Sequence, residues 1–441
     1  MCTLSKKKSK KRRPNIIFRL YHKSVKVPLS KKIFCLVACF FDFFTKNQKN
    51  WQPNIILFRR RRRRNTCDTP SLFTQPRPRI CLLYLKAFER TGGIEKVNRA
   101  LLRALADWQA AGQATVEAWS PYESRTDPRY FPADRFRGYA GRRLLFLLDL
   151  LRRPPEADIL LVSHINLTPA ALLLKLRYPR LRIVVWAHGI EVWRSLGRLK
   201  RRLLRQADQI LAVSEYTRRQ LIARHGIAPE RIAVLPNCLD PYFSPPTDFG
   251  KPASLLQRYG LKPEQPVLLT IARMHRREAD KGYDQVLACL PELLKQFAGL
   301  TYLLVGACDP AERARLDALI AQHGIRQQAL FTGFIPEEEL TAHYQLADLL
   351  VMPSKKEGFG LVFMEAMACG TPALGGNKDG SPEALRPGEW GYAVDPDDRD
   401  ALRTAIAEAL TRPPGHRELQ EKVVNRVHYK QYASQLWHII S

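Results

Sequence analysis

The feature that most limits the fold is a series of short, uninterrupted apolar runs, each the length of one strand and separated by helical stretches. The first series comprises 79–84 (RICLLY), 157–162 (ADILLV), 182–187 (RIVVWA) and 209–213 (QILAV). Helical patterns fall between them, as at 140–152 and 198–205, and another opens near Glu95 after a Gly-Gly turn. A strand that is apolar on both faces has to be covered on both, so the pattern predicts a parallel sheet flanked by helices. A second series begins beyond Leu235-Pro236-Asn237 and a linker zone marked by Pro245, Pro246 and Pro252. Its runs are 267–271 (VLLTI), 301–305 (TYLLV), 329–332 (ALFT), 349–352 (LLVM) and 371–374 (TPAL). A chain of 441 residues has room for two cores. The expected class is α/β: two facing domains with parallel sheets, 77–240 and 241–420, and a closing helix at 421–441 packed back on the first. Open sheets of this kind bind ligands beyond the carboxyl ends of their strands, so the cleft between the domains should hold the chemistry.

Charge separates residues 1–76 from the rest. Of the formal net charge of +29, about +18 falls in that stretch, which holds KKKSKKRR and Arg59–Arg64 and shows no sustained helical or strand period. It reads as a disordered basic extension or as translated upstream sequence; Met1 is followed next by Met274, so a start near residue 75 needs a non-AUG codon. The run at 33–44 is too short to span a bilayer and is broken by Asp42. Nine cysteines, without a CxxC pair, argue against a disulfide framework and a structural zinc site. Cys289, Cys308 and Cys369 lie in apolar runs and read as small buried hydrophobes, which suits a reducing, cytoplasmic setting.

The most informative string is Glu357-Gly-Phe-Gly-Leu-Val-Phe-Met-Glu365, which follows the run at 349–352 and continues to Pro372. Gly358 and Gly360 let backbone approach a ligand, and a helix N-terminus offers unpaired N–H groups to an anion. Glu357 and Glu365, eight positions apart, would share one face if both were helical. Carboxylates beside an anion site make sense if they accept from hydroxyls, one on a sugar and one on a ribose; the plainer reading is acidic residues complementing a helix dipole. Arg273 and Lys281, past the run at 267–271, offer a fork and a point charge to a diphosphate, or else a solvated surface.

The string EGFGLVFMEAMACGTP closely resembles the donor-binding motif of the retaining, glycogen-synthase-like glycosyltransferases of GT-B fold, the group 1 or family-four enzymes. The resemblance covers about 79–441 and implies two facing Rossmann-like domains. It implies that Glu357 contacts donor sugar hydroxyls and Glu365 the ribose, with Gly358, Phe359, Gly360 and Leu361 around sugar and phosphate. Ile271-Ala-Arg273 and Asp280-Lys281-Gly-Tyr283 look like the family's phosphate clamp, although 274–279 departs from its pattern. Thr91-Gly92-Gly93-Ile-Glu95 resembles its glycine loop, and His188 stands where the family places a histidine against the reacting sugar. Glu191 is a candidate for the acceptor side. Phe334 and Ile335, in TGFIP, match the backbone that reads the base.

The implied activity is retaining transfer of a hexose from a UDP-, GDP- or ADP-sugar to a glycan or lipid-linked acceptor in envelope or polysaccharide synthesis. No cofactor, no metal and no nucleic acid are expected, and the place of work is the cytoplasm, with contact at the inner face of the membrane. The basic helical stretches 141–153 and 194–205 read either as a membrane-surface patch or as ordinary helices with solvated faces. Two other classes stay open on sequence alone: an epimerase or phosphorylase using the same cleft, and a basic nucleic-acid-binding protein. Against the second, the excess of charge sits before residue 76 rather than among aromatics in the folded part.

Overall fold

The structure is a computed structural model that describes residues 77–89 and 91–441, apart from the side chains of 277 and 279. The basic stretch 1–76, with the apolar run at 33–44, lies outside the described residues. The first sheet contains β1 (Arg79–Leu83), β2 (Thr115–Ser120), β3 (Phe136–Gly138), β4 (Ile159–Val162), β5 (Arg182–Ala187), β6 (Gln209–Ala212) and β7 (Ile232–Val234). The second contains β8 (Val267–Ile271), β9 (Thr301–Val305), β10 (Ala329–Gly333), β11 (Leu349–Met352), β12 (Ala373–Gly376) and β13 (Tyr392–Val394). Spatial order is β3-β2-β1-β4-β5-β6-β7 in one and β10-β9-β8-β11-β12-β13 in the other. Every adjacent pair is parallel. The fold is therefore the expected α/β class with two parallel sheets. In each sheet the chain reverses its direction of travel at one place, between β1 and β4 and between β8 and β11. Those two switch points are where a crevice opens beyond the strand ends.

The interior strands are the runs that are apolar on both faces; β4, β9 and β11 are buried at every position. Four strands carry no such run. β2 reads TVEAWS with an exposed first residue, and β3, β7 and β13 are three residues long at sheet edges or ends. An edge strand such as β3, β7 or β13 is half solvated and needs no continuous apolar face, so its signal in the sequence is weak; β2 is interior, and its run is broken by Glu117 and Ser120. The helix expected from 140 begins at Arg143, because Ala140 and Gly141 adopt positive φ in a turn.

Seven helices matter below: α1 (Gly93–Ala110), α2 (Arg143–Arg152), α3 (Thr168–Arg177), α4 (Arg198–Gln206), α5 (Glu215–His225), α6 (Leu361–Ala368) and α7 (Tyr429–Ile440). α7 follows the second sheet in sequence but lies on the first domain. Trp437 packs on Trp108 of α1 with ring centroids 5.0 Å apart, and the Tyr429 hydroxyl donates to Asp107 at 2.7 Å. Arg182 of β5 donates to the Ile440 carbonyl at 2.6 Å. Leu436 and Ile440 are fully buried there, in a cluster that runs on into the helices of the second sheet. Truncating Leu436 to Ala should cost about 2–5 kcal/mol in urea unfolding. A change within about 0.5 kcal/mol would mean that α7 contributes nothing to the stability of the fold.

Candidate functional site

Both switch points supply the predicted residues. The loop after β1 leads to Gly92 and Gly93, where α1 starts without any side-chain cap. This loop is held from below by Glu123, a fully buried carboxylate that accepts from the amides of Ala87, Phe88 and Glu89 at 2.6, 2.9 and 3.3 Å. The loop after β11 leads to Gly360, in the left-handed region at φ 96°, and α6 likewise starts without a side-chain cap. A Cβ on Gly93 would lie 3.8 Å from the Leu361 side chain, so the first turns of the two uncapped helices are neighbours. Each leaves N–H groups without intrahelical partners and presents the positive end of a dipole, which together suit one anion between them.

Around that gap stand the charged groups. Gly282 turns at φ 85°, close against the Pro353 carbonyl, and so brings Lys281 beside the β11 exit. Lys281 donates to Glu357 at 2.5 Å, both side chains about four-fifths buried. Burial alone would lower the lysine's pKa; the Glu357 charge and hydrogen bond, with Glu278 nearby, outweigh it and leave the pKa raised. Arg273 is 72% exposed and pairs with Glu278 at 3.0 Å. Glu357 does not lie on a helix with Glu365, because α6 begins only at Leu361; the shared helical face expected from their spacing is absent. Instead the Glu357 amide donates to Asp379 at 2.6 Å, which fixes the loop. Glu365 lies on α6, buried; one oxygen accepts from Tyr344 at 2.8 Å and the other from Lys96 of α1. Phe334 is 67% exposed just past β10, with Ile335 buried beside it.

The β5 exit closes the other side. Gly189 turns at φ 139°, and a Cβ on Gly358 would fall 1.8 Å from the His188 carbonyl, so backbone meets backbone here. Ser214 donates to the Gly358 carbonyl at 2.8 Å, and Phe359 is buried next in line. Glu383, from beyond β12, accepts from the Glu215 and Tyr216 amides at 2.6 and 2.8 Å and so caps α5 across the gap. The His188 ring nitrogen Nε2 is 2.6 Å from the Ser163 carbonyl. A carbonyl only accepts, so Nε2 carries the proton and a neutral ring keeps Nδ1 as an acceptor. One oxygen of Glu191 accepts from the amides of His188 and Gly189 at 2.6 and 3.2 Å, holding this turn.

Two family models cover the chain in this arrangement. Residues 254–427 match the model described as glycosyl transferases group 1, and 91–243 match that of glycosyltransferase family 4. The GDP-mannose-dependent alpha-(1-6)-phosphatidylinositol monomannoside mannosyltransferase of Mycolicibacterium smegmatis is 34% identical over 271 residues, 58% of this chain and 69% of its own length. The chain belongs to the group 1 glycosyltransferases. It spans smaller shares of other curated relatives that it matches, 60% and 48% among them. Among solved structures, sucrose-phosphate synthase from Thermosynechococcus elongatus superposes with TM-score 0.65 at 22% identity, over 82% of this chain and 98% of that one. Anabaena HepE in complex with UDP superposes with TM-score 0.63 at 19% identity, over 81% and 98%. These two show the GT-B fold.

Several residues of the candidate site had no signal in the sequence reading. Lys96 and Arg99 lie on α1 one turn apart; Arg99 donates to both oxygens of Glu337 at 2.8 and 2.9 Å, and Lys96 lies 3.7 Å from the same carboxylate. Asp379 and Glu383 fall in DGSPE, a string that reads as a turn. Besides the local bond from the Ser381 amide to Asp379, their partners are more than 20 residues away, and no local pattern records such a meeting.

Two expected outcomes follow. Gly358→Ala places a methyl group against the His188 carbonyl, so the domains should part and small-angle X-ray scattering should show a larger radius of gyration than the wild type; an unchanged curve would mean that the loop yields locally. The second concerns His164, which stacks on His188 with centroids 6.3 Å apart and accepts the Asn166 amide on Nδ1 at 3.0 Å. Burial first, then the neighbouring His188, Lys200 and Arg194, push its pKa down to about 3. Unfolding restores the ordinary value near 6.5, so between about pH 6.5 and 3 the unfolded chain binds the extra proton and stability falls with falling pH. The loss attributable to this one group is about 1.4 kcal/mol per pH unit. His164→Asn should flatten the stability profile by that slope in urea titrations from pH 6.5 down to 4.5; an unchanged slope would assign the acid sensitivity elsewhere.

Proposed function

We propose that this transferase moves a hexose, with retention of anomeric configuration, from a nucleoside-diphosphate sugar to a glycan or lipid-linked acceptor in the making of a cell envelope or polysaccharide. The observation that carries the reading is the meeting of Lys281 and Glu357, from the β8 and β11 exits, beside the uncapped first turns of two neighbouring helices. Such a place suits a diphosphate with a polyhydroxyl group at either end. GDP-mannose is the first donor to try, because the Mycolicibacterium relative is named for it; UDP is the nucleotide in the Anabaena HepE complex.

In this reading Arg273 and Lys281 exchange their carboxylate partners for the diphosphate and stabilise the charge that develops on it as the glycosidic bond breaks. Glu357 and Glu365, released from Lys281 and Lys96, accept hydroxyl hydrogen bonds from sugar and ribose. The backbone at Gly92, Gly93, Gly358, Phe359, Gly360 and Leu361 surrounds sugar and phosphate, and that at Phe334 and Ile335 meets the base. His188 Nδ1 accepts from a hydroxyl of the reacting sugar. Attack comes from the leaving group's own face, with the departing phosphate taking the acceptor's proton, and no metal is needed. Glu191 serves the acceptor through its second oxygen. The enzyme works in the cytoplasm, peripheral to the membrane's inner face, and its described cysteines are all free thiols.

A thermal-shift comparison of the full chain with GDP-mannose, UDP-glucose and ADP-glucose, with and without EDTA, tests this. A donor at about 100 times its dissociation constant adds roughly 2.7 kcal/mol to the folded state. The expected result is a rise in melting temperature with one nucleotide class, unaffected by EDTA and abolished in Glu365→Ala. A folded protein that answers none of the three donors would sink the reading.

A further inference from the structure

We propose that Lys96 and the ribose of the donor compete for one oxygen of Glu365, and that Glu337 receives Lys96 when the ribose takes its place; this rests on the reading above. Lys96 is the fourth residue of α1, near the positive end of the helix dipole, which disfavours a cation. Helix stability does not account for a lysine there; the carboxylates opposite do. Its ammonium donates to Glu365 Oε1 and lies 3.7 Å from Glu337 Oε1. The second oxygen of Glu365 accepts at 2.8 Å from the hydroxyl of Tyr344, in the helix Leu340–Leu346. The Glu365 side chain is 3% exposed, so its carboxylate offers a ribose hydroxyl no open side and one of the two donors has to give way. Tyr344 is buried in the core of the second domain, and its ring is held there. Lys96 has a long flexible stem and a second carboxylate within reach.

Glu337 is held ready to receive it. Arg99, one turn along α1 from Lys96, donates to both Glu337 oxygens at 2.8 and 2.9 Å. Asp240 steadies Arg99 in turn: one oxygen lies 3.4 Å from the Arg99 Nε, and the other accepts from the Tyr130 hydroxyl and the Tyr242 amide at 2.7 and 2.9 Å. Burial opposes ionisation of Glu337, but the Arg99 hydrogen bond and the Lys96 charge outweigh it and hold its carboxyl below the ordinary range. Glu337 therefore stays charged and in place, and a shift of about 1 Å by the ammonium completes a close pair. Breaking a shielded pair costs most when nothing replaces the lost partner, and here a partner is waiting. The exchange selects for a ribose. A nucleotide without 2′ and 3′ hydroxyls has nothing to give Glu365 in return for the ammonium.

Isothermal titration calorimetry of the full chain with GDP-mannose, UDP-glucose and ADP-glucose tests this. For the donor that binds, Lys96→Met should tighten binding about tenfold or more, the worth of a hydrogen bond to a charged group freed of its competitor. Glu337→Gln should weaken binding, also by about tenfold, and should change nothing in the Lys96→Met background. The 2′,3′-dideoxy nucleoside diphosphate of the same base should gain nothing from Lys96→Met. A cooperative thermal transition shows each variant folded; where Lys96→Met lacks one, Lys96→Gln takes its place with the same expected sign. Weaker or unchanged donor binding by a folded Lys96 variant would overturn the proposal, because the ammonium would then serve the donor itself or stand apart from it. So would an equal gain for the dideoxy nucleotide, or a Glu337→Gln effect that persists without Lys96. A wild type that binds none of the three donors would fail the catalytic reading and this proposal together. A wild type that binds one of them, with the Lys96 variants unmoved, would fail this proposal alone.

Discussion

The contact between the Gly358 backbone and the His188 carbonyl sets the geometry of everything around it. Two strand ends from different sheets, β5 and β11, approach until no Cβ fits between them. Ser214 then reaches the Gly358 carbonyl, and Glu383 caps α5 from the opposite domain. Each of these bonds gives a partner to a backbone group that the sheet and helix ladders leave free. They join loops whose positions are set by buried strands, and the starts of α1 and α6 lie beside each other there. Gly282 and Gly189, turning where other residues would be strained, make the approach possible from either side.

Around these strand exits the charges are already matched. Lys281 holds Glu357, Lys96 holds Glu365, and Arg273 holds Glu278. Their weights differ. The Arg273 pair is largely exposed and, like most surface pairs, is worth at most about 1 kcal/mol. The Lys96 and Lys281 pairs are shielded, and breaking either without replacing the lost partner would cost several kcal/mol. A ligand entering here therefore has to bring both kinds of partner at once, negative charge for the cations and hydroxyls for the carboxylates. That double demand is a selection on chemical class. A simple anion satisfies only half of it, and a neutral sugar the other half.

The fold was legible because burial leaves a mark on local sequence. Strands such as β4 and β9, covered on both faces, read as unbroken apolar runs. The three-residue strands were not legible, since half-solvated edge positions carry no such mark, and β2 was not because Glu117 interrupts its apolar run. For the site, the glycine-rich turns and the Arg273 and Lys281 positions stood out by residue type and place. The spacing of Glu357 and Glu365 misled, because eight residues mean one face only if all of them are helical, and the helix starts halfway between. Lys96, Asp379 and Glu383 carried no legible signal at all; a lysine on an amphipathic helix looks the same whether it faces water or a carboxylate 269 positions away.

By itself, the sequence determined the class of fold, most of the buried strands in their order along the chain, and the family. These depend on local periodicity and on turn residues, which act over a few positions. Tertiary structure alone decided which charges meet and which backbone atoms touch. It also decided that three leucines of α2 point away from the core while Phe146 and Leu150 point in. The reason is the same in every case. Such contacts are fixed by how whole sheets are placed, and the free energy that places them is spread over two cores rather than written in any one segment.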